Sequence, residues 1–364
     1  MEKKSKILNY INVFRGLAIL LIVAGHTMQC GEIGSITQRI SVEIFAGGTA
    51  LFIFISGFLF QHLSQKYDFK NYMSKKWVNV ILPYLCTAIP GLFFCLFFPT
   101  TYGNALDGLS PFLQIPMMLT VGRIHNTPAW FIPMIILFFL SSWLLIKTEK
   151  KGWLYKIMPL MFLITLVFSR QDVDYNSVMD LSYTGKYVAY LKYVFMGYIH
   201  FFSMYIFGMF CSANKNIIDK FWNLRWTFIV LMFMTATLNI FSSINWGFSN
   251  GTISKIFLTI IALAYLKKYD EWLISHQMLN KILDIIAKYS FGIFFIHWYV
   301  FFLYNQIWGL PNIMPVISNF FITLGLVFIR FLSVTLFSLL ILYCIKQIIL
   351  KIKPDFNTRS VIGV

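Results

Sequence analysis

An arginine and a histidine share one apolar stretch near the beginning of the chain. Arg15 and His26 are eleven positions apart in FRGLAILLIVAGH, which contains no other ionisable side chain. A histidine near neutral pH can remove the proton of a hydroxyl while the oxygen attacks an acyl carbonyl, which is worth about 10²–10⁴ in rate. A guanidinium can hold a phosphate or a carbonyl through paired hydrogen bonds. The two residue types suit general-base chemistry beside an anion-holding group.

A helix would place both side chains on one face. Eleven residues at 100° each bring Arg15 and His26 to within about 20° of one direction, roughly 16 Å apart along the axis. An ionisable group inside a membrane helix costs about 2.5–3.5 kcal/mol on insertion scales, so it is a functional candidate by default. Taken singly, Arg15 is equally well explained by reaching lipid phosphate, and His26 by a structural hydrogen bond. Taken together, the two residues favour a functional role.

The composition indicates an integral membrane protein. The 364 residues are 58% hydrophobic and only 12% charged, whereas soluble domains carry about 25% charged residues. The net charge of +16 falls in short loops, where it sets topology and meets lipid head groups, and no basic stripe predicts nucleic-acid binding. No spacing of histidine and carboxylate residues predicts a metal site, and the five cysteines are scattered.

The apolar runs predict an all-α fold in a single integral membrane domain over residues 1–364. Most lysines and arginines fall between alternate runs, which predicts that both termini are cytoplasmic. About ten membrane-spanning helices are expected, at 10–30, 42–63, 78–98, 129–147, 153–169, 194–212, 226–244, 251–267, 289–309 and 317–345.

Four further side chains are candidates for lining the site. Arg330 has no partner nearby in the sequence, so it must face the bundle interior, a cavity or a carboxylate such as Glu43. His297 falls in the middle of the ninth predicted span and pairs with either a substrate or a neighbouring helix. Ser56, beside Gly57, is better explained by close helix packing than by chemistry.

Four segments follow one another along the chain in a recognisable order. They are FRGLAILLIVAGH with its Arg-x10-His spacing, GTALFIFISGFLF, PAWFIPMIILF and KYSFGIFFIHWYV, the last of which ends at residue 300. In this order they resemble the membrane acyltransferase type 3 family. Each segment alone is weak, because apolar segments match easily, but the four in sequence with ten predicted spans form a fairly specific resemblance.

The resemblance implies an enzyme that takes an acyl group, most often acetyl, from cytoplasmic acyl-CoA. The acceptor would be a hydroxyl of a sugar in a surface glycan, peptidoglycan or lipid-linked saccharide. By the same resemblance, His26 is the catalytic base and Arg15 its paired arginine. Where the family often has an Arg-x-x-Arg pair, this chain has SKKWVNVILPY, with Asn79 at the second arginine position. Lys76 can still supply charge for a CoA phosphate, or it is ordinary positive-inside charge.

The sequence therefore predicts a multi-pass acyltransferase of the bacterial plasma membrane, surrounded by lipids, with acetyl-CoA as donor substrate and no permanently bound cofactor. Arg15 and Lys76 would hold the acyl-CoA, and His26 would act directly on the acceptor hydroxyl. An acyl-enzyme at Ser56 is less favoured because no activating base is evident beside it. The rival hypothesis is a transporter or flippase of a glycan or lipid-linked precursor, lined in part by Arg330. The acceptor, the acyl chain and the oligomeric state stay open.

Overall fold

A computed structural model describes residues 8–98, 106–124, 128–169, 178, 180–317 and 319–364. In these ranges the chain is helical, and the one isolated β-bridge pairs Cys30 with Met314. The helices are α1 Asn9–Thr27, α2 Ile36–Phe45, α3 Gly48–His62, α4 Phe69–Lys76, α5 Leu82–Phe97, α6 Pro111–Val121, α7 Phe131–Leu140, α8 Ser142–Lys150, α9 Met158–Val167, α10 Tyr183–Ala213, α11 Ile217–Asn223, α12 Arg225–Asn245, α13 Thr252–Lys268, α14 Asp270–Ser275, α15 Gln277–Trp308, α16 Phe320–Ile352 and α17 Arg359–Ile362.

Seven helical segments among the described residues are long and apolar enough to cross a membrane. An eighth is formed if Pro128–Leu140 and Ser142–Lys150, which are bent by 44° at their break, are taken as one span. The helical, polytopic membrane architecture is therefore confirmed, while the count of about ten and the cytoplasmic termini stay predictions. The seven segments are Asn9–Thr27, Ile36–His62, Phe69–Phe97, Tyr183–Ala213, Arg225–Asn245, Gln277–Trp308 and Phe320–Ile352.

Some of the expected spans differ from the helices observed, whereas the one at 251–267 coincides with a helix. The span at 42–63 is two helices, because Gly47 adopts a φ of 92° between α2 and α3. The span at 153–169 is only the ten-residue helix α9, which starts after a turn in which Gly152 has a φ of 72°. The span at 251–267 is the 17-residue helix α13, which carries a buried lysine, Lys255.

The chain divides into two compact units, of which the first holds residues 1–65 and 204–343. Helix α1 is the centre of this unit: most of its residues are buried, and it packs against α2, α3, α13 and α15. An apolar cluster surrounds the end of α1, where Ala24, Met28 and Cys30 meet Met314 and Val327. The first unit therefore fixes α1 along its length.

Glycines allow the closest helix contacts within this unit. A Cβ on Gly57 of α3 would lie 2.0 Å from the carbonyl oxygen of Tyr205 in α10, and one on Gly208 would lie 2.0 Å from that of Phe54. A Cβ on Gly48 would lie 2.8 Å from the backbone nitrogen of Ile22 in α1. Small residues let backbones approach in this way in membrane helix bundles. The close packing predicted beside Ser56 is confirmed.

The second unit holds residues 66–203 and 344–364. Its helices are linked by contacts of α5 with α6, of α4 and α6 with α7, and of α7 with α8. A π-helical turn at Trp77–Ile81 joins α4 to α5, and the short helix α17 packs against both this turn and α5. Such π-helical turns are rare and frequently mark functional sites.

Candidate active site

Helices α1 and α15 lie side by side and run in the same direction. Gly16 lies against Leu283 and Ala287, with its Cβ position 3.0 Å from the Leu283 carbonyl oxygen, and ten residues later His26 meets His297. Two helices in contact at both ends in this order are parallel. If each crosses the membrane, an odd number of crossings must lie between them for the two helices to share a direction.

Arg15 lies half-buried in a network of polar side chains at the beginning of α1. Its Nη2 donates to Oδ1 of Asn12 at 3.0 Å, and Asn12 Nδ2 donates to Oδ1 of Asp284 at 2.7 Å. The other carboxylate oxygen of Asp284 pairs with Lys288 at 2.6 Å, one turn further along α15. The guanidinium is thus oriented by side chains of both helices.

His26, near the other end of α1, is surrounded by rings. Its imidazole centroid is 5.4 Å from that of His297 and 4.9 Å from the Trp298 ring, which it meets edge to face. The side chain is half-buried, and among the described residues it makes no hydrogen bond. His26 therefore points at α15, inside the first unit, and its ring nitrogens have no hydrogen-bond partner among the residues that the structure describes.

Arg330 of α16 fixes the backbone directly after His26. This fully buried guanidinium donates from Nε to the carbonyl oxygen of Thr27 at 2.8 Å, from Nη1 to that of Pro311 at 2.9 Å and from Nη2 to that of Asn312 at 3.2 Å. Its partners are backbone carbonyls rather than a carboxylate, and the Thr27 carbonyl lies at the C-terminus of α1, where cations are favourable. The expectation that Arg330 faces the interior is confirmed, and its partners join the end of α1 to the segment after α15.

Glu43 has polar partners other than histidine or arginine. Its carboxylate accepts from Asn239 Nδ2 at 2.6 Å and from the hydroxyl of Ser254 at 2.5 Å, both within the first unit. The buried ammonium of Lys255 donates to the Glu43 backbone carbonyl in the last turn of α2, while the lysine stem covers Gly47. The described contacts of Glu43 join α2 to α12 and α13, so it is a structural centre of this bundle.

Comparison with known protein families identifies the chain. A model of the acyltransferase-3 family, described as an acyltransferase domain, matches residues 8–345. The chain belongs to the acyltransferase-3 family.

The family match confirms the relationship that the four sequence segments predicted. It covers every candidate site residue, from Arg15 to Arg330, and it makes this protein a member of a family of membrane acyltransferases. No curated protein matches the chain, and no solved structure matches it. The roles of individual residues in this acyltransferase-3 protein therefore rest on the geometry of its own site.

Ser56 of this acyltransferase-3 protein bonds within its own helix. Its hydroxyl donates to the Phe52 carbonyl oxygen at 2.8 Å, one turn earlier in α3. It lies beside the tight crossing at Gly57, and such back-bonding is common for serine in apolar helices. These contacts agree with the packing role that the sequence favours over an acyl-enzyme.

Lys76 belongs to the second unit, at the end of α4. Its ammonium is 4.6 Å from the ring centre of Phe139 and 5.1 Å from that of Tyr72, distances typical of cation–π contacts. Helix α17 brings Arg359 near enough for its charge to act on Lys76, and burial lowers the pKa of Arg359. Two cations that gather in one unit form a place where an anion would be stabilised.

Several residues around the site were missed by the sequence reasoning. Asn12 stands three residues before Arg15, and Asp284 four before Lys288, so both pairs have the spacing of neighbours on one helix face. That spacing could have shown the polar network in advance. Trp298 directly follows His297 in one of the four quoted segments, yet only the fold shows that it contacts His26. Arg359 had no signal beyond its charge.

Proposed function

We propose that this protein transfers an acyl group, by default acetyl, from acetyl-CoA to a hydroxyl of a cell-surface or lipid-linked saccharide, with His26 as general base. The proposal rests on the surroundings of the His26 side chain. This side chain makes no hydrogen bond within the described residues and faces two rings of α15. A general base must keep one ring nitrogen available for the substrate proton. Membership of an acyltransferase family supplies the reaction class.

In the proposed reaction, the neutral imidazole of His26 takes the proton of the acceptor hydroxyl. The hydroxyl oxygen then attacks the thioester carbonyl, a new C–O bond forms, and the C–S bond of the thioester breaks. The departing CoA sulfur receives the proton back from the His26 imidazolium, so protons and charges balance without a further reactant. Transfer is direct in this scheme, which agrees with the internal hydrogen bond of Ser56.

Arg15 is proposed to hold the donor at the opposite end of α1. In acyl-CoA the charged phosphates and the reactive thioester stand at the two ends of a long flexible arm. Arg15 and His26 are likewise roughly 16 Å apart along one helix, a cation at one end and a base at the other. Within the second unit, Lys76 and Arg359 are proposed, separately, as residues that hold a phosphate. Lysine and arginine are both common phosphate ligands.

Trp298 supports a saccharide as the acceptor. Its indole lies edge to face with the His26 ring and is half-buried, so it offers an apolar surface next to the base. Aromatic side chains combine such a surface with a polar edge, which suits a ring that carries both C–H groups and hydroxyls. We place the reaction in a bacterial plasma membrane, with acyl-CoA on the cytoplasmic side and the acceptor on the other.

The test is transfer of radiolabelled acetyl from acetyl-CoA by membranes that contain the protein. Label should enter the glycan fraction, and mass spectrometry should show sugars heavier by one acetyl group. We expect His26→Ala to lower the transfer rate by about 10²–10⁴. The control is His276→Ala, at an exposed histidine before α15, which should leave the rate unchanged.

Full transfer by His26→Ala, with membranes lacking the protein inactive, would contradict a base at His26. If the protein is needed for export of the labelled glycan but not for its acetylation, the result would instead indicate a transporter.

A further inference from the structure

His297 contains a buried polar atom that has no hydrogen-bond partner among the described residues. Its side chain is 0% exposed, and its Nδ1 lies 2.9 Å from the carbonyl oxygen of Ile293, one turn earlier in α15. A carbonyl can only accept, so Nδ1 carries the proton, and in the neutral ring Nε2 carries a lone pair. This Nε2 makes no hydrogen bond to any part of the chain that the structure describes.

A buried nitrogen that has no hydrogen-bond partner among the described residues needs a physical explanation. Leaving a buried polar group unsatisfied costs about 1–3 kcal/mol, and nearly all such groups in folded proteins have partners. Within the described ranges, the rings that contact His297 are those of His26 and Phe294, and of these two the His26 ring carries an N–H. The lone pair of His297 and an imidazole N–H of His26 are therefore complementary groups in neighbouring rings.

We propose that His297 is the positioning residue of the catalytic base: its Nε2 accepts an N–H of His26 during the reaction. This inference rests on the proposed function of His26. Ring centroids 5.4 Å apart with a tilt of 35° can reach an N–H···N bond by rotation of the side chains, without movement of the helices. Catalytic hydrogen bonds are often loose before substrate binds and tighten in the reacting complex.

The proposed bond would do two things for the reaction. It fixes which ring nitrogen of His26 is bare and turned to the acceptor hydroxyl, as the third member of a nucleophile–base–orienter set does. It also stabilises the imidazolium that forms when His26 takes the proton, because the N–H that His297 accepts then belongs to a charged ring and donates a stronger hydrogen bond. The chain of bonds ends at the Ile293 carbonyl, so His297 is itself held in one tautomer. Because His297 is a neutral acceptor, it can orient His26 without placing a further carboxylate in the apolar bundle.

The experiment measures kcat and KM for acetyl-CoA with His297→Phe and His297→Gln in membranes, using label transfer to glycan. His297→Phe keeps an aromatic ring but removes the acceptor, and we expect kcat to fall about 10–100-fold with KM unchanged, as for other residues that orient a reacting group. His297→Gln keeps an acceptor and should recover part of kcat. If His297→Phe does not accumulate, His297→Met replaces it, and the same difference from His297→Gln is expected.

The matched control is His200→Phe in the second unit. His200 is also buried, at 2% exposure, and its Nδ1 bonds the Phe168 carbonyl oxygen at 2.7 Å, so the substitution removes a comparable histidine. We expect kcat to stay at the wild-type value. A folded His297→Phe with wild-type kcat would overturn the inference, as would a His297→Gln no better than His297→Phe.

A double variant separates the inference from the proposed function. Because His297 is proposed to act through His26, adding His297→Phe to His26→Ala should cause no further loss of rate, whereas independent roles would multiply. A further loss of the same size in the double variant would overturn the positioning role. If His26→Ala is itself active, the proposed function fails. If His26→Ala is inactive but His297→Phe is fully active, only the present inference fails.

Discussion

The two ends of α1 are held in different ways. At the Arg15 end, contacts between side chains hold the helix. Arg15 donates a hydrogen bond to Asn12, Asn12 donates one to Asp284, and Asp284 forms an ion pair with Lys288. At the His26 end, the described contacts that fix the helix are made to the backbone. The guanidinium of Arg330 bonds the Thr27 carbonyl, and beyond α1 the segments around Cys30 and Met314 form a bridge.

This difference explains how a reactive side chain can be held in place and still be available. An arginine that binds an anion keeps several donors, so a hydrogen bond to Asn12 orients it without using all of them. An imidazole has only two nitrogens, and a structural bond to the substrate-facing one would remove the base. Fixing the Thr27 backbone instead positions His26 while its ring nitrogens make no hydrogen bond to the described part of the chain. The comparison predicts which substitutions affect stability and which affect chemistry.

The largest expected effect belongs to Arg330. Arg330→Leu would leave the carbonyls of Thr27, Pro311 and Asn312 without their donor inside the bundle. Hydrogen bonds to a charged group are worth about 1.5–3 kcal/mol each, and each buried carbonyl left without a donor costs about 1–3 kcal/mol. We expect a marked drop in the unfolding temperature in detergent, together with loss of transfer activity, because His26 follows the backbone that is released.

Two variants sharpen this result. Arg330→Lys keeps a charge but not the planar fork, so it should recover part of the stability. Lys255→Met removes another buried cation that bonds a helix-terminal carbonyl, in this case Glu43 at the end of α2. It should lower the unfolding temperature less than Arg330→Leu does, because one carbonyl rather than three loses its bond. An Arg330→Leu protein as stable as wild type would show that the backbone contacts do not hold this end of α1.

Arg15 should have the next largest effect, and on donor binding rather than on stability. Arg15→Lys keeps the charge but loses the paired donors, so we expect KM for acetyl-CoA to rise about tenfold, equivalent to 1.4 kcal/mol, with kcat little changed. Arg15→Gln should raise it further. Arg225→Lys serves as the control, since that guanidinium bonds the Trp222 carbonyl and stacks on its ring. A fall in kcat alone with Arg15→Lys would assign the guanidinium to the reacting atoms.

The sequence predicted the features that depend on short stretches of chain. The first span was expected at 10–30 and is found at Asn9–Thr27, because one apolar run lies between polar flanks. The four motif segments led to the family that the match over residues 8–345 shows. The tight crossing at Gly57 could also be expected, since small residues mark close helix contacts. Periodicity and residue size are local signals.

What the sequence could not provide is the pairing of distant segments and the role of the backbone. The contact of His26 with His297 depends on which two of many apolar helices pack together, and hydrophobicity does not distinguish them. Arg330 was expected to face the bundle interior, a cavity or a carboxylate; it does face the interior, and its partners there are carbonyl groups, which every residue carries and no residue type marks. The break at Gly47 was missed because a glycine pair in an apolar run indicates packing as readily as a φ of 92°.

The smallest expected effect comes from Asp284, at the Arg15 end. Asp284→Asn keeps an oxygen that can accept from Asn12 but removes the charge that pairs with Lys288. Because the pair is partly solvated, with the lysine side chain 66% and the aspartate 33% exposed, the loss of stability should be about 0.3–1 kcal/mol. The unfolding temperature in detergent measures it, and the difference from wild type should shrink as salt is added, since salt screens exposed charges. If Asp284→Asn instead destabilised the protein as much as Arg330→Leu, the two ends of α1 would be equally dependent on buried charge, and the distinction between side-chain and backbone anchoring would not hold.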